Sequence, residues 1–308
     1  MITLTMNPAL DKSAIVQRIE PNKKLRSQAP SYSPGGGGVN VARAVHILGH
    51  NAKAVYPGGG PTGDTIEQFL EKEGIFQYRI KVESWMRENL TVQEEVTGNQ
   101  YRFGMPGAPL KKDEWQKCLD IILKESRNED FLVASGSLPP GVPDDFYKTL
   151  AQKVRGYDVK LIVDTSGKPL RELRGAGLFL LKPNLRELRH LTGRELKHED
   201  EQEEAAQELI NEGTCEILLL SLGAAGALLV TADQQQLFHS PTVKVESRIG
   251  AGDSTVAGMV SGFIRGMELR EAVMFGIAAG AAAVMTPGTE LCRRNDTESI
   301  FQRLRSSK

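Results

Sequence analysis

The chain of 308 residues exceeds one average domain and suits one α/β domain with an appendage. Its 40% apolar and 25% charged residues are ordinary for a soluble globular protein, and a net charge of −1 argues against a general nucleic-acid binder. No apolar run approaches the ~20 residues of a membrane span, and no signal peptide is read before the first strand. Cys118, Cys215 and Cys292 are widely separated, and neither they nor the five histidines stand at metal-ligand spacing. They read as buried thiols in a reducing cytoplasm.

Residues 2–6 read as a short buried strand. Gly35, Gly36, Gly37 and Gly38 lead into a helix over 39–48 that Gly49 closes. A strand at 52–56 and a helix at 65–73 follow. Apolar strands of the fully buried kind come at 131–134, 159–163, 178–181 and 216–220. Helical stretches near 112–125, 143–154, 184–191 and 199–212 separate them. This alternation predicts a mostly parallel sheet with helices on both faces. Strands near 227–231 and 236–239 and two apolar helices, 253–266 and 269–285, complete the pattern.

Two early segments break it. Residues 13–19 and 26–32 read as extended, and 90–96 pairs with 100–105 across Thr97-Gly98-Asn99 as a hairpin. They carry Lys24, Arg26, Arg87 and Arg102. The expectation is a small β-sheet lid, about 12–33 and 86–106, over the ligand edge of a single domain spanning 1–308. Ordinary surface hairpins are the plainer alternative. Leu90, Val92 and Val96 share one face, interrupted by Glu94, while Ile15 and Ile19 add a second apolar row. A projecting sheet with no covering layer is marginal in water, so a homodimer joined lid to lid is expected. The alternative is a lid folded down on its own domain.

Chemistry concentrates in a few stretches. Asp11 lies beyond the first strand, where open α/β sheets bind ligands, and it either accepts hydrogen bonds from a sugar diol or forms a turn. Gly36, Gly37 and Gly38 let backbone approach a ligand, and Asn40 offers a donor and an acceptor from the helix's first turn. A flexible surface loop is the alternative, and the spacing is not the dinucleotide fingerprint. Lys182-Pro183-Asn184-Leu185-Arg186-Glu187 follows a buried strand. Asn184 and Glu187 there either hold hydrated Mg²⁺ or form a plain capping box. The small-residue turn Ser221-Leu222-Gly223-Ala224-Ala225-Gly226 leaves room for a nucleobase or phosphate, or is a tight turn alone. Ser137 follows another strand at the same edge.

Gly250-Ala251-Gly252-Asp253 runs into a helix whose apolar face is Val256, Met259, Val260, Phe263 and Ile264. Open backbone N–H groups at the positive end of that helix make an anion cradle with a carboxylate beside it. Transfer of phosphate to a sugar hydroxyl needs that combination. The plainer reading is an acidic first-turn residue with no ligand. Beside the helix's positive end, Asp253 is expected to have a low pKa.

Pro34-Gly-Gly-Gly-Gly-Val-Asn-Val-Ala-Arg43, Lys-Pro-Asn-x-x-Glu at 182–187, Ser-Leu-Gly at 221–223 and Gly-Ala-Gly-Asp at 250–253 resemble, in this order, the ribokinase-like (PfkB) sugar-kinase family. The resemblance covers essentially the whole chain. Residues 7–11, 24–26, 135–141 and the long hairpin are similar to its phosphosugar branch. The stretches 85–90, 101–103 and 105–107 most resemble members acting on fructose 6-phosphate. It implies a three-layer α/β/α fold and ATP-dependent conversion of fructose 6-phosphate to fructose 1,6-bisphosphate. A 1-phosphofructokinase or tagatose-6-phosphate kinase is the enzyme alternative, and a non-catalytic sugar-phosphate-binding regulator the alternative of another class.

Carried over by residue, the resemblance implies Asp253 as catalytic base, Gly250, Ala251 and Gly252 as anion hole, and Lys24 near the transferred phosphoryl. It implies Asp11, Gly36, Gly37, Gly38, Asn40, Arg87, Arg102 and Ser137 on the phosphosugar. Lys182, Asn184, Ser221, Gly223 and Gly226 would meet ATP, with Glu187 organising Mg²⁺ through water. A lid-mediated homodimer is implied too. The implied ions extend to K⁺, and there the chain departs from close relatives. They often carry a basic residue where Glu290 stands, in a loop expected near a monovalent-cation site.

Overall fold

The computed structural model describes residues 1–306, which build a nine-stranded sheet and a four-stranded one. β1 (Ile2–Leu4) opens the large sheet, and the chain leaves it at once for β2 (Ala9–Val16) and β3 (Ser31–Gly35) of the small one. It returns through α1 (Gly37–Ile47), β4 (Lys53–Gly58), α2 (Gly60–Lys72) and β5 (Phe76–Lys81). β6 (Arg87–Glu94) and β7 (Gln100–Phe103) complete the small sheet. Then come α3 (Lys112–Glu125), β8 (Phe131–Ser135), α4 (Phe146–Val154), β9 (Lys160–Asp164), α5 (Lys168–Arg171) and β10 (Leu178–Leu181). α6 (Leu185–Thr192), α7 (Glu199–Asn211), β11 (Cys215–Ser221), β12 (Ala227–Val230) and β13 (Gln235–Phe238) follow. α8 (Ala251–Ile264), α9 (Leu269–Val284) and α10 (Arg294–Ser306) come last.

The large sheet runs β13-β12-β11-β10-β9-β8-β1-β4-β5, parallel from β5 to β11, with β12 and β13 antiparallel. Its central strands read as apolar runs because both faces are covered. Val133 and Ile162 join Val41, Val256 and Phe275 of α1, α8 and α9 in one layer. Their chain neighbours Leu132 and Leu161 join Ile122, Leu150 and Leu209 of α3, α4 and α7 in the other. Burying each such side chain contributes roughly 1.5–3 kcal/mol. α8 and α9 approach closely because both present glycine: a Cβ on Gly258 would lie 2.8 Å from Gly276 Cα. No helix among the described residues is long and apolar enough to cross a membrane.

The mostly parallel sheet with helices on both faces is as expected. Three elements, β5, α5 and α10, are not in the sequence reading. β5 is an edge strand in which only Ile80 is buried, so it shows no apolar run. α10 buries only Thr297, Ile300 and Phe301.

The small sheet runs β3-β2-β6-β7. β3 lies later than the extended segment at 26–32, since its pairing with β2 runs from Ser13↔Ser31 to Ala9↔Gly35 and draws the first glycine into the sheet. The hairpin of β6 and β7 is as expected. Parallel pairing of β2 with β6 sets Lys12 beside Leu90, Ala14 beside Val92 and Ile15 beside Gln93. Leu90 and Val92 therefore share a face with Phe103 and Tyr101. Ile15 lies on the opposite face with Asp11 and Ser13, which corrects its assignment to a second apolar row beside Leu90 and Val92.

Candidate active site

α1 and α8 both begin at the edge where the parallel strands end. A Cβ on Gly38 would lie 2.6 Å from Leu4 O at the end of β1, and one on Gly37 would lie 2.2 Å from Ser135 Oγ at the end of β8. Gly36 sits at φ 109°, where a side chain would be strained, and its Cβ would strike Thr5 and Pro8. Gly35 lies against the Asp11 carboxylate. The glycines are thus required for close packing of strand ends against the helix start, and the space they free is taken by the protein itself. The tight fit aims the first turn of α1, whose Asn40 Nδ2 donates to Asp253 Oδ2 across 2.9 Å.

Asp253 occupies the first turn of α8, after Gly250 in the left-handed N-cap position. Lys182, 6% exposed, lies against the same turn, since a Cβ on Gly252 would sit 3.5 Å from its Nζ. Its partner is Asp164 at the end of β9, with Nζ 3.1 Å from Oδ2. Burial opposes the charge on Lys182, but Asp164, aided by Glu187 and Asp253, outweighs it and holds the ammonium above its usual range. The low pKa expected of Asp253 is corrected. Its carboxyl lies deep among protein atoms, and burial, reinforced by the charge of Asp164, pushes it up to about 7 against Asn40 and Lys182. A carboxylate poised near neutrality suits a general base.

On the small sheet, Asp11 faces this pair from β2. Its Oδ1 accepts a bond from Asn89 Nδ2 of β6 at 2.7 Å, and burial raises its pKa against the pull of Asn89, Arg87 and Arg102. Arg87, two residues before Asn89 on the same face, donates to Asn7 O at 3.0 Å and to Met105 O at 3.2 Å. Its Nε is buried and without a partner. Asn7 in turn donates to Ser137 Oγ at 3.0 Å, which brings Ser137 to the same corner. Arg102 is exposed on β7 beside Thr91. Farther along the same face a cleft of ≈ 680 Å³ opens between the sheet and the body, lined by Ser13, Ile15, Arg43, Gln93 and Glu290 among others.

Asn184 caps α6: its Oδ1 accepts from Glu187 N at 3.0 Å, and Glu187 Oε2 accepts from Asn184 N at 2.8 Å. The capping box is therefore present. Burial raises the pKa of Glu187 against the pull of the Asn184 N–H and of Lys182. Asn184 bridges to Ser221, whose N–H donates to Pro183 O at 2.8 Å. Gly223 opens the turn after Ser221 at φ 62° with open space around it, and Gly226 at φ 118° has no room for a Cβ beside Phe238 O. The structure thus gathers Lys182, Asn184, Glu187, Ser221, Gly223 and Gly226 along one rim. Lys24 stands apart on the exposed segment between β2 and β3, and no hydrogen bond or ion pair among the described residues ties it to the others. Sequence reasoning missed Asp164 and Asn89. Asp164 ends a buried strand as Asp11 follows one, so the strand-end rule could have found it. Asn89 carried no such signal, because only the register of β2 with β6 makes it Asp11's neighbour.

A carboxylate near neutrality beside open helix N–H groups, a buried cation against the same turn, and arginines on the small-sheet face that bears Asp11 can together transfer a phosphoryl group. Comparison with known proteins agrees. The model of the pfkB family of carbohydrate kinases matches residues 4–296. The chain is 45% identical over 302 residues to the ATP-dependent 6-phosphofructokinase isozyme 2 of Mycobacterium tuberculosis (strain CDC 1551 / Oshkosh), covering 98% of this chain and 89% of that one. It is 42% identical to the isozyme 2 of Escherichia coli (strain K12), covering 97% of each. A crystal structure of phosphofructokinase-2 from Escherichia coli in complex with potassium superposes with a TM-score of 0.95 at 41% identity over 99% of both chains. From its motifs, its fold and these likenesses, the chain belongs to the pfkB family of carbohydrate kinases.

Proposed function

We propose that this protein is an ATP-dependent 6-phosphofructokinase, converting fructose 6-phosphate and ATP to fructose 1,6-bisphosphate and ADP in the cytoplasm. The observation that carries the reading is Arg87, with a buried, unpartnered Nε, on the sheet face that bears Asp11. A neutral sugar would not need an arginine desolvated there, whereas a phosphosugar gives it a charge-assisted partner. The likeness to 6-phosphofructokinases supports the choice of sugar. In this reading Arg87, Arg102 and Ser137 hold the phosphate, while Asp11, Asn40 and the backbone at Gly36, Gly37 and Gly38 hold the sugar hydroxyls. Asp253 takes the proton of the attacking hydroxyl as the bond to phosphorus forms. The N–H groups at Gly250, Ala251 and Gly252 face the charge on the transferring phosphoryl, where one such donor contributes roughly 3–4 kcal/mol. Lys24 would join them when the small sheet closes as a lid, excluding water.

ATP would lie along the rim from Lys182 and Asn184 to Ser221, Gly223 and Gly226. No cluster of three metal-ligating side chains occurs among the described residues. That fits Mg²⁺ carried mainly by phosphates and water, with Glu187 and Asp164 as outer carboxylates. The ion, when bound, neutralises phosphate charge. For K⁺, the loop at Gly288, Thr289 and Glu290 offers carbonyl and hydroxyl oxygens of the kind that ion takes, with the Glu290 carboxylate drawn 2.9 Å from Arg293. Initial rates in KCl against NaCl test that part.

The same reading makes the protein a homodimer through the lid, because Tyr32, Tyr101 and Phe103 are exposed around Leu90 and Val92 on the face turned from the body. Coupled assays with fructose 6-phosphate, fructose 1-phosphate and tagatose 6-phosphate, compared by kcat/KM, test the activity. Preference for either of the last two moves the assignment within the phosphosugar kinases. No turnover with any of them would favour a sugar-phosphate-binding regulator.

A further inference from the structure

Asn89 is bonded to both Asp11 and Arg87. It sits on β6 two residues after Arg87, and both side chains point to the same face of the small sheet. Its Nδ2 donates to Asp11 Oδ1 across 2.7 Å. Its Oδ1 accepts from Met105 N at 3.2 Å and, more weakly, from Arg87 Nη1 at 3.4 Å. The amide orientation is therefore fixed: its donor side meets a carboxylate, and its acceptor side meets a backbone N–H and a guanidinium. Asp11 Oδ2 lies against Gly35, where a Cβ would come within 2.2 Å of it.

We propose that Asn89 is a positioning residue that sets Asp11 and Arg87 as a pair, tying recognition of the sugar hydroxyls to recognition of the phosphate. The inference deepens the phosphosugar-kinase reading and rests on it. Asp11 and Arg87 are on neighbouring strands, and each is partly desolvated, so both are costly to hold charged without fixed partners. A single amide bonds to both without adding charge. A phosphosugar that engages Arg87 then finds Asp11 already aimed, whereas a neutral sugar meets Asp11 alone. None of the hydrogen bonds of the Asn89 side chain goes to Asp253 or to the rim from Lys182 to Gly226, so it acts on the sugar and not on the nucleotide.

The test uses the full-length enzyme and whichever phosphosugar it turns over, so failure with fructose 6-phosphate counts against the substrate assignment and not against Asn89. Asn89→Leu keeps the volume and removes both bonds. It is expected to raise KM for the phosphosugar about 10- to 100-fold while KM for ATP changes about twofold or less. Combining it with Asp11→Asn should cost less than the product of the two single effects, since both act on one hydrogen bond. Asn89→Asp gives a readout that folding alone would not move. It sets a second carboxyl beside Asp11, and the two share a proton at low pH and repel when both ionise. The ratio of variant to wild-type phosphosugar KM should therefore rise between about pH 6 and pH 8, with the substrate's own titration cancelling in the ratio. A flat ratio, or fully multiplicative effects in the double variant, would overturn the proposal. So would equal rises in both KM values for Asn89→Leu at unchanged thermal stability.

Discussion

Asn40 Nδ2 donates to Asp253 Oδ2 across 2.9 Å, joining two helix starts that lie 213 residues apart along the chain. The bond engages one of the two carboxyl oxygens of Asp253 and holds the group against the start of α1. Burial holds that carboxyl near neutrality, so the same group is a competent base and a strain on the folded state.

Asp253→Asn should keep phosphosugar and Mg·ATP affinity within a few fold and reduce kcat about 100- to 10,000-fold. The wild-type profile of kcat/KM against pH should fall on the acid side with a midpoint near the value of about 7 that burial sets. Turnover near wild type in the variant would remove Asp253 from the chemistry.

The same shift makes a stability prediction of definite sign. The folded pKa lies above the usual 3.8, so between these values the folded state holds the proton that the unfolded state has lost. Stability from this group is full below about 4 and declines as pH rises toward 7. Asp253→Asn should raise Tm by a few degrees at pH about 8, with little change near pH 4. A lowered Tm at the higher pH would show that Lys182 and Asn40 outweigh desolvation.

Lys182 balances Asp164 and Asp253 from a buried position. Lys182→Met should destabilise the fold by about 3–5 kcal/mol in urea titration, because carboxylates remain without their cation. The acid limb of kcat/KM should also move upward, since Asp253 loses the charge that favours its ionised form. An unmoved limb would separate Lys182 from Asp253.

Arg87→Ala should raise KM for fructose 6-phosphate about tenfold or more and leave KM for ATP nearly unchanged. Efficient use of free fructose or ribose by the wild-type enzyme would count decisively against a phosphate-reading role.

Gly37→Ala tests the elbow. Its Cβ would lie 2.2 Å from Ser135 Oγ, so the strand end or the helix start must shift. Overpacking of this kind costs about 1–3 kcal/mol and should raise the phosphosugar KM through Asn40. Wild-type stability in urea would mean that the two elements part freely.

The proposed dimer is tested with charges on the outward face of the small sheet. Val92→Asp, beside Tyr101, should yield monomers in light scattering at micromolar concentration and lose sugar affinity before ATP affinity. Ile15→Ser, on the inner face, should leave the dimer intact. A wild-type monomer with full activity would sink the idea.

The sequence by itself determined the layered fold and the places of most candidate residues. Strands such as β8–β11 declare themselves by apolar residues on both faces, and glycines before a helix mark its ligand end. Asp11, Asn40, Lys182 and Asp253 were legible for that reason, since each follows a strand or opens a helix at the same edge. What neighbours what was decided only by the tertiary structure. The register of β2 on β6 brings Asn89 to Asp11 and sends Ile15 inward, and no local pattern encodes a register between strands so far apart. The glycine stretch was legible as special, but that protein atoms fill the space it frees required the packed strand ends. The pKa of Asp253 depends on how much of the body surrounds it and on Asp164, two quantities that a linear chain does not carry. Local propensity acts over a few residues, whereas desolvation and charge pairing depend on what the fold packs around a group, and at this site they set the chemistry.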